Sequence, residues 1–164
     1  MNFERCQSAK YGDYILAAFR LQSRSPALGR ETVANVTILL ADDNAAVLAH
    51  VGKMLSKQNN YKVVAAITDG STIVREYLRL RPDAIVLDIS MGKVSGIDVA
   101  RQLRDLGCTA KIIFLSVHED RDYVNAAIGA GGSAYVVKPR LGSDLVPAIE
   151  AALADKLFVS ASLV

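Results

Sequence analysis

The sequence predicts an α/β fold: a doubly wound, five-stranded parallel β-sheet with helices on both faces. Short, nearly continuous apolar runs rich in Val and Ile alternate along the chain with segments whose apolar residues recur at helical spacing. Strands buried on both faces read as continuous apolar runs, whereas strands of a half-exposed antiparallel sheet alternate between apolar and polar residues. Because crossover connections between parallel strands are almost always right-handed, the favoured strand order is 2-1-3-4-5.

Five apolar runs are the predicted strands, and β-branched residues are abundant in them. In chain order they are VTILLA at 36–41, YKVVAAI at 61–67, AIVLDI at 84–89, KIIFLSV at 111–117 and SAYVVK at 133–138. The carboxyl ends of parallel strands meet at one edge of the sheet, which is where folds of this class bind ligands. Functional residues are therefore expected directly after these runs.

Each run is followed by a segment with one apolar stripe, so five helices are predicted. The stripes begin near Val47, Ile73, Ile97, Tyr123 and Leu145. Ser95, with Asp98 three residues later, predicts a capped helix start, and Ser143 predicts the cap of the last helix. Gly107 predicts a left-handed residue where a helix stops.

The chain has 164 residues, which suits one domain rather than two independent cores. Residues 1–34 end in QSRSPALGRETVA, a stretch without apolar periodicity. We interpret them as an N-terminal extension and linker, which is either frayed or forms one short amphipathic helix. This tail holds five basic and three acidic residues, so the whole net charge of +2 lies in it.

Composition argues against several classes of protein. Hydrophobic residues make up 51% and charged residues 22%, which is enough apolar material for a buried core. A net charge of +2 lacks the dense basic surface of a nucleic-acid-binding domain. Two distant cysteines, Cys6 and Cys108, and two histidines favour neither a disulfide framework nor structural zinc. No apolar run reaches the roughly 18 residues of a membrane span, so we expect a cytoplasmic protein.

Carboxylates, a hydroxyl and an amine follow the predicted strands. Strand 1 ends in Asp42 and Asp43, strand 3 in Asp88, strand 4 in Ser116 and strand 5 in Lys138. Three carboxylates beside one ammonium leave a deficit of positive charge, since two like charges about 4 Å apart repel by roughly 4 kcal/mol at an effective dielectric of about 20. A divalent ion that prefers oxygen ligands relieves this repulsion, and we therefore predict weak binding of Mg²⁺.

Each of these residues also has a purely structural interpretation. Asp43 is placed to cap the following helix, Ser116 to bond to the backbone, and Lys138 to lie exposed at a strand end. Asp88 fits such an interpretation less well, because a carboxylate that ends a buried strand needs a partner. The occurrence of carboxylates, a hydroxyl and an amine together at four strand ends nevertheless favours a functional site.

Five segments of the chain form a recognisable set: LLADDNAAV, PDAIVLDISM with SG following, KIIFLSVHED, GAGGSAYVVKP and KLFVSASLV. Together they resemble the receiver domain of two-component response regulators of the NarL/FixJ type, within the flavodoxin-like CheY superfamily. The resemblance implies a receiver domain over residues 35–157 and the opening of a truncated linker over residues 158–164. In the family that linker leads to a helix-turn-helix domain, so we expect a stand-alone receiver or a shortened regulator that acts through protein contact.

The resemblance also implies a chemical role for the acidic residues. Asp88 corresponds to the phosphoacceptor, which takes a phosphoryl group from the phosphohistidine of a sensor kinase or phosphotransfer protein. Asp43, Asp88 and the backbone carbonyl of Ser90 correspond to direct Mg²⁺ ligands, and Asp42 to the acid that acts through water. Mn²⁺ is the alternative metal.

Switch residues are implied in the same way. Lys138 corresponds to the lysine that pairs with the carboxylate and then with a phosphoryl oxygen. Ser116 corresponds to the switch hydroxyl, and Tyr135 to the aromatic switch whose ring position reports phosphorylation. On physical grounds alone, Tyr135 also fits a half-buried strand tyrosine with no switching role.

Three further residues are implied to tune how quickly phosphate is gained and lost. They are Ser90 beside the acceptor, and Val117 and His118 beside the switch hydroxyl. Val117 is bulkier than the residue that the family often has there. The resemblance also implies a cis peptide bond between Lys138 and Pro139, a state that about 5% of X-Pro bonds adopt.

The implied function is that of a bacterial phosphorelay receiver, which catalyses only its own phosphoryl transfer and autodephosphorylation. Its partners are a sensor histidine kinase or phosphotransfer protein, and a downstream protein or second copy that binds the face of helix 4, strand 5 and helix 5. Neither nucleic acid nor membrane is an expected partner of this chain.

Two alternative functions remain open, and a third is disfavoured. The first is a receiver-like binding module that is never phosphorylated. The second is a phosphohydrolase with an aspartyl-phosphate intermediate, although the general acid that such enzymes carry two residues after the nucleophile is missing after Asp88. A flavin carrier of the same topology is disfavoured, because Asp42 and Asp43 would repel its phosphate.

Overall fold

The computed structural model describes residues 35–161, so the extension predicted at 1–34 lies outside the described residues. Within that range the chain forms eight strands and five α-helices. In chain order they are β1 (Val36–Ala41), α1 (Ala45–Leu55), β2 (Tyr61–Ile67), α2 (Ile73–Leu80), β3 (Ala84–Asp88), β4 (Ser90–Met91), β5 (Val94–Ser95), α3 (Gly96–Asp105), β6 (Lys111–Ser116), α4 (Arg121–Gly129), β7 (Ala134–Val137), α5 (Leu141–Leu153) and β8 (Phe158–Val159). None of the helices in this range is long and apolar enough to cross a membrane.

Six strands form one parallel sheet in the order β2-β1-β3-β6-β7-β8. Its first five strands confirm the predicted order. The sixth strand differs from the prediction, because Phe158 and Val159 pair with Ala134 and Tyr135 in a stretch assigned to a linker at 158–164. A pair of apolar residues is too short to stand out as a strand in a sequence. Its pairing nevertheless supplies partners to the open edge of β7.

Side chains of the sheet alternate between two apolar clusters, one on each face. In β1, for example, Leu39 lies in one cluster, and Ile38 and Leu40 lie in the other. Helices α1 and α5 cover one face, and α2, α3 and α4 cover the other. Burial of a Leu or Ile side chain contributes roughly 1.5–3 kcal/mol relative to exposure. Coverage on both faces explains why the strands read as unbroken apolar runs.

Helix ends agree with the sequence at one predicted position and differ at two. Gly107 adopts a positive φ of 74° after α3, as predicted. Ser95 occupies the N-cap of α3 and pairs with Ser90 in the β4–β5 hairpin, but its side chain makes no capping hydrogen bond. Ser143 does not cap α5 either, since that helix begins at Leu141 and the Ser143 side chain lies in its first turn.

The predicted cis peptide bond between Lys138 and Pro139 is wrong. All peptide bonds in residues 35–161 are trans. Residues 138–140 form a 3-10 turn that continues directly into α5. Proline suits the start of a helical turn, because its fixed φ matches the turn and its missing N–H has no partner to lose there.

Asp144, in the first turn of α5, is a buried carboxylate held by several donors. The Arg140 guanidinium approaches both of its oxygens, with Nε 2.8 Å from Oδ2 and Nη2 3.2 Å from Oδ1. The Ser143 hydroxyl donates to Oδ1 at 2.6 Å. Arg140, and then the hydroxyls of Ser143 and Ser160, outweigh burial and lower the pKa of Asp144 to about 2.

Substitution of Asp144 by Asn is expected to weaken the fold in a pH-dependent way. A carboxyl pKa lowered from 3.8 to about 2 contributes stability that is complete above the unfolded value and is lost as the pH falls through the folded value. Asp144→Asn should therefore lower the free energy of unfolding by about 1–2 kcal/mol at neutral pH and by much less near pH 2. Urea denaturation across this range measures the difference.

Asp98→Asn is the control for this pH dependence. Asp98 pairs with Arg101 three residues away on α3, and both side chains are more than half exposed. Exposed pairs contribute roughly 0–1 kcal/mol, so this variant should differ little from the parent at any pH. A stability loss in Asp144→Asn that does not change between neutral and acid pH would contradict the assignment.

Candidate functional site

Four neighbouring strands deliver the predicted site residues to one edge of the sheet. Asp42 follows β1, Asp88 ends β3, Ser116 ends β6 and Lys138 follows β7. These strands are consecutive in the sheet, in the order β1-β3-β6-β7. Residues far apart in the sequence are thereby placed at one edge of the sheet.

Three carboxylates form an acidic cluster at this edge. Asp42, Asp43 and Asp88 each offer an oxygen, and these oxygens lie within 4.8 Å of one another. Asp42 and Asp88 are buried, with only 1% and 3% of their surface exposed. Asp43 is exposed, so the cluster is open to solvent on that side. Three acidic groups this close repel one another unless cations or protons neutralise them.

Lys138 supplies the cation that two of these carboxylates share. Its Nζ lies 2.8 Å from Oδ2 of Asp42 and 3.0 Å from Oδ1 of Asp88. The remaining oxygens accept backbone hydrogen bonds: Asp42 Oδ1 from the N–H of Asn44 at 2.9 Å, and Asp88 Oδ2 from the N–H of Ser90 at 3.1 Å. Every oxygen of the buried pair thus has a close positive or N–H partner.

Burial and charge shift the pKa of both Asp88 and Lys138. Burial raises the pKa of Asp88, and the charge of Asp42 adds to this, while Lys138 opposes it without cancelling it. Burial lowers the pKa of Lys138, but its contacts with Asp42 and Asp88 outweigh burial and raise it. The ammonium is therefore firmly protonated, while ionised Asp88 still lacks full compensation. This agrees with the predicted deficit of positive charge.

Ser116 and Tyr135 both bond to the backbone of His118. The Ser116 hydroxyl oxygen accepts from the His118 N–H at 2.9 Å, and the Tyr135 hydroxyl donates to the His118 carbonyl at 2.9 Å. The Tyr135 side chain is fully buried rather than half-buried. Burial raises the pKa of its hydroxyl, which therefore stays protonated as a donor. The loop after β6 is thus fixed from two sides by side chains of β6 and β7.

The residues predicted to tune phosphate exchange differ in their exposure and contacts. Ser90 is exposed in β4, two residues after Asp88. Val117 has 64% of its surface exposed. The ring of His118 stacks on Tyr123, with centroids 4.0 Å apart and planes inclined by 3°. The helical spacing placed Tyr123 in the core stripe of α4, but 39% of its surface is exposed.

Gly96 is a site residue to which the sequence pattern assigned no role. A Cβ atom at this position would lie 2.0 Å from the backbone carbonyl oxygen of Asp88. Its N–H donates to the carbonyl of Ile89 at 2.8 Å, which draws the start of α3 onto the end of β3. Only glycine allows this approach. The available signal was the Ser-Gly pair at 95–96, which follows the segment PDAIVLDISM.

Comparisons with known proteins agree with this arrangement. The model of the family described as the response regulator receiver domain matches residues 38–150. The transcriptional regulatory protein PdtaR of Mycobacterium tuberculosis is 35% identical over 116 residues, which cover 71% of this chain and 56% of PdtaR. The chain thus spans little more than half the length of that relative.

Two further matches extend over most of the length of the chain that is matched. The chemotaxis protein CheY of Thermotoga maritima is 33% identical over 112 residues, covering 68% of this chain and 92% of CheY. The crystal structure of a LuxR-family two-component response regulator from Aurantimonas sp. SI85-9A1 superposes with a TM-score of 0.75 at 30% identity, covering 79% of this chain and 92% of that one. By family model, relatives and fold, the chain belongs to the response regulator receiver domain family.

Proposed function

We propose that this receiver is a phosphoacceptor of a two-component His-to-Asp phosphorelay, and that Asp88 is the residue that takes the phosphoryl group. The observation that carries the proposal is the bridge from Lys138 to Asp42 and Asp88 within a cluster of three carboxylates. One ammonium does not neutralise three carboxylates, so the cluster still favours binding of a further cation. Phosphoryl transfer requires such positive groups around the phosphoryl oxygens. The donor is a phosphohistidine on a sensor kinase or phosphotransfer protein.

Mg²⁺ fits the donor atoms of this site. All candidate ligands are oxygens, the carboxylate oxygens converge within 4.8 Å, and Asp43 leaves the cluster open to solvent. Asp43, Asp88 and the carbonyl of Ser90 would hold the ion, with Asp42 acting through water, and Mn²⁺ is the alternative metal. When bound, the ion neutralises and orients phosphoryl oxygens.

The chain's own residues position the nucleophile. Asp88 is held at Oδ1 by Lys138 and at Oδ2 by the N–H of Ser90, so the orientation of its carboxylate is fixed before the donor arrives. One carboxylate oxygen forms the O–P bond as the N–P bond of the phosphohistidine breaks and the imidazole leaves. The Lys138 ammonium then pairs with a phosphoryl oxygen. Positioning of this kind supplies much of the acceleration in phosphoryl transfer.

The switch that follows uses the two side chains bonded to His118. A phosphoryl group adds nearly two negative charges and three acceptor oxygens beside Lys138. The Ser116 hydroxyl turns toward these oxygens and gives up its bond from the His118 N–H, which releases the loop after β6. Tyr135, whose hydroxyl is bonded to the His118 carbonyl, then fills the space that the Ser116 hydroxyl vacates.

The access of water to the acidic cluster sets how long the phosphoryl group remains on Asp88. Ser90 and Val117 lie exposed beside the cluster, and the His118 ring is fixed by its stack on Tyr123. These three residues govern the approach of water and therefore the rates of phosphorylation and hydrolysis. The output surface consists of α4, β7 and α5, and it binds a downstream protein or a second copy. Signalling takes place in the cytoplasm without nucleic-acid or membrane contact by this chain.

Incubation with acetyl phosphate and Mg²⁺ tests the proposal. We expect one phosphoryl group per chain by intact mass, no labelling of Asp88→Asn, and normal labelling of Asp98→Asn, whose carboxylate is exposed on α3. Sustained hydrolysis of a phosphate monoester, which unlike acetyl phosphate is not an acyl phosphate donor, would instead favour the phosphohydrolase alternative. Absence of any modification would favour a binding module that is never phosphorylated.

A further inference from the structure

Beyond the acidic cluster, the domain has a second buried polar group, which we call the Asp144 cluster and which consists of Arg140, Ser143, Asp144 and Ser160. Asp144 and Ser160 are buried, with 5% and 0% of their surface exposed. Arg140 and Ser143 bond directly to the Asp144 carboxylate, and the Ser160 hydroxyl is the third group that stabilises it in ionised form. Phosphoryl transfer as described above does not use any of these groups.

The Asp144 cluster lies where β8 is attached to β7. Ser160 follows β8, and its hydroxyl oxygen accepts from the N–H of Val137 at 3.2 Å, while its own N–H donates to the carbonyl of Tyr135 at 3.0 Å. A strand of only two residues has little backbone pairing of its own. The buried Ser160 side chain therefore adds a hydrogen bond to the few backbone bonds that hold β8 on the sheet.

The same stretch of chain carries the residues that respond at the acidic cluster. Val137 directly precedes Lys138, and a single 3-10 turn joins Lys138 to Arg140. Tyr135 pairs with Val159 of β8 through the backbone while its hydroxyl contacts His118. A displacement of Lys138 toward an added phosphoryl group therefore pulls on the turn that positions Arg140 against Asp144.

We propose that β8 is a strap, that the Asp144 cluster fastens it to β7, and that phosphorylation of Asp88 loosens it. The fastening follows from the hydrogen bonds of Ser160 with Val137 and Tyr135, and from the bonds that Arg140 and Ser143 donate to Asp144. The loosening rests on the proposed function, since it requires a phosphoryl group that draws Lys138 and Arg140 away from their present positions. The strap passes the state of the acidic cluster to the chain beyond Ser160.

Amide hydrogen exchange in the full chain, followed by NMR, tests both parts. The probe is the backbone N–H of residue 160, in the parent and in both variants. The Leu39 N–H in the buried strand β1 serves as an internal reference. Asp144→Asn and Ser160→Ala should each speed exchange of the probe by about tenfold relative to the parent, the change expected for loss of one charge-assisted or buried hydrogen bond. Asp98→Asn should leave it unchanged.

Beryllofluoride with Mg²⁺ is the probe for the phosphoryl state, and its binding is measured separately by fluorine NMR. We expect it to speed exchange of the Ser160 N–H in the parent by about tenfold and to have little further effect in Asp144→Asn. Unchanged exchange in both Asp144→Asn and Ser160→Ala would overturn the fastening. Bound beryllofluoride with unchanged exchange would overturn the loosening alone. Failure of beryllofluoride to bind would overturn the proposed function and the loosening together, while the two variants still decide the fastening.

Discussion

Gly96→Ala is expected to lower the free energy of unfolding by at least about 3 kcal/mol and to impair phosphorylation of Asp88. The added Cβ would lie 2.0 Å from the backbone carbonyl oxygen of Asp88, and neither atom belongs to a flexible side chain. The clash is relieved only if α3 moves away from β3. Such a shift also breaks the bond from the Gly96 N–H to the Ile89 carbonyl, beside the phosphoacceptor.

Gly52→Ala is the matched control for this substitution. Gly52 lies within α1, and a Cβ there would meet no atom within 4 Å. Alanine should raise stability at this position by up to about 1 kcal/mol, because glycine is the poorer helix former. Urea denaturation and acetyl phosphate labelling measure both variants. Normal labelling and stability in Gly96→Ala would contradict the close approach of α3 to the site.

Lys138→Met is expected to cost about 3 kcal/mol of stability at neutral pH when no divalent ion is present. The methionine keeps an apolar stem of similar size but removes the ammonium that lies 2.8 Å from Asp42 and 3.0 Å from Asp88. Two buried carboxylates then face each other without a cation, and removal of one partner from a buried ion pair is strongly destabilising. The loss should shrink in acid, where one carboxylate takes up a proton.

Lys111→Met provides the comparison for a lysine in an exposed pair. Lys111 pairs with Asp155, whose side chain is 81% exposed, so its replacement should cost less than about 1 kcal/mol. Millimolar Mg²⁺ should restore part of the stability of Lys138→Met, and it should stabilise Lys111→Met no more than it stabilises the parent. Equal losses in the two variants without metal would show that Lys138 does not neutralise the acidic cluster.

The parts of the fold that the sequence predicts are those governed by burial on both faces of a sheet. Continuous apolar runs such as VTILLA and KIIFLS become β1 and β6 because helices cover both faces. The strand order followed from the handedness of crossovers. Strand β8 was missed because its position depends on Ser160 and the open edge of β7, and these are contacts with residues distant in sequence.

The candidate site divides in a similar way. Asp42, Asp88 and Lys138 were predicted to meet because each lies at the carboxyl end of a strand. In a parallel sheet these ends lie along one edge irrespective of the loop conformations. Features set by loop geometry were not predictable. The approach of Gly96 to Asp88 depends on the β4–β5 hairpin, and the stack of His118 on Tyr123 depends on the loop after β6. The trans bond before Pro139 likewise depends on how the 3-10 turn enters α5.

The central claim is that the acidic cluster accepts a metal ion and then a phosphoryl group on Asp88. A melting curve with beryllofluoride and Mg²⁺ tests this claim most directly. Mg²⁺ alone should raise the melting temperature slightly, and Asp43→Ala should remove that rise. Both reagents together should raise it by several degrees in the parent, because a ligand that binds only the folded state stabilises it. The account predicts that Asp88→Asn shows no rise with beryllofluoride. An equal rise in Asp88→Asn, or one that needs no Mg²⁺, would contradict it.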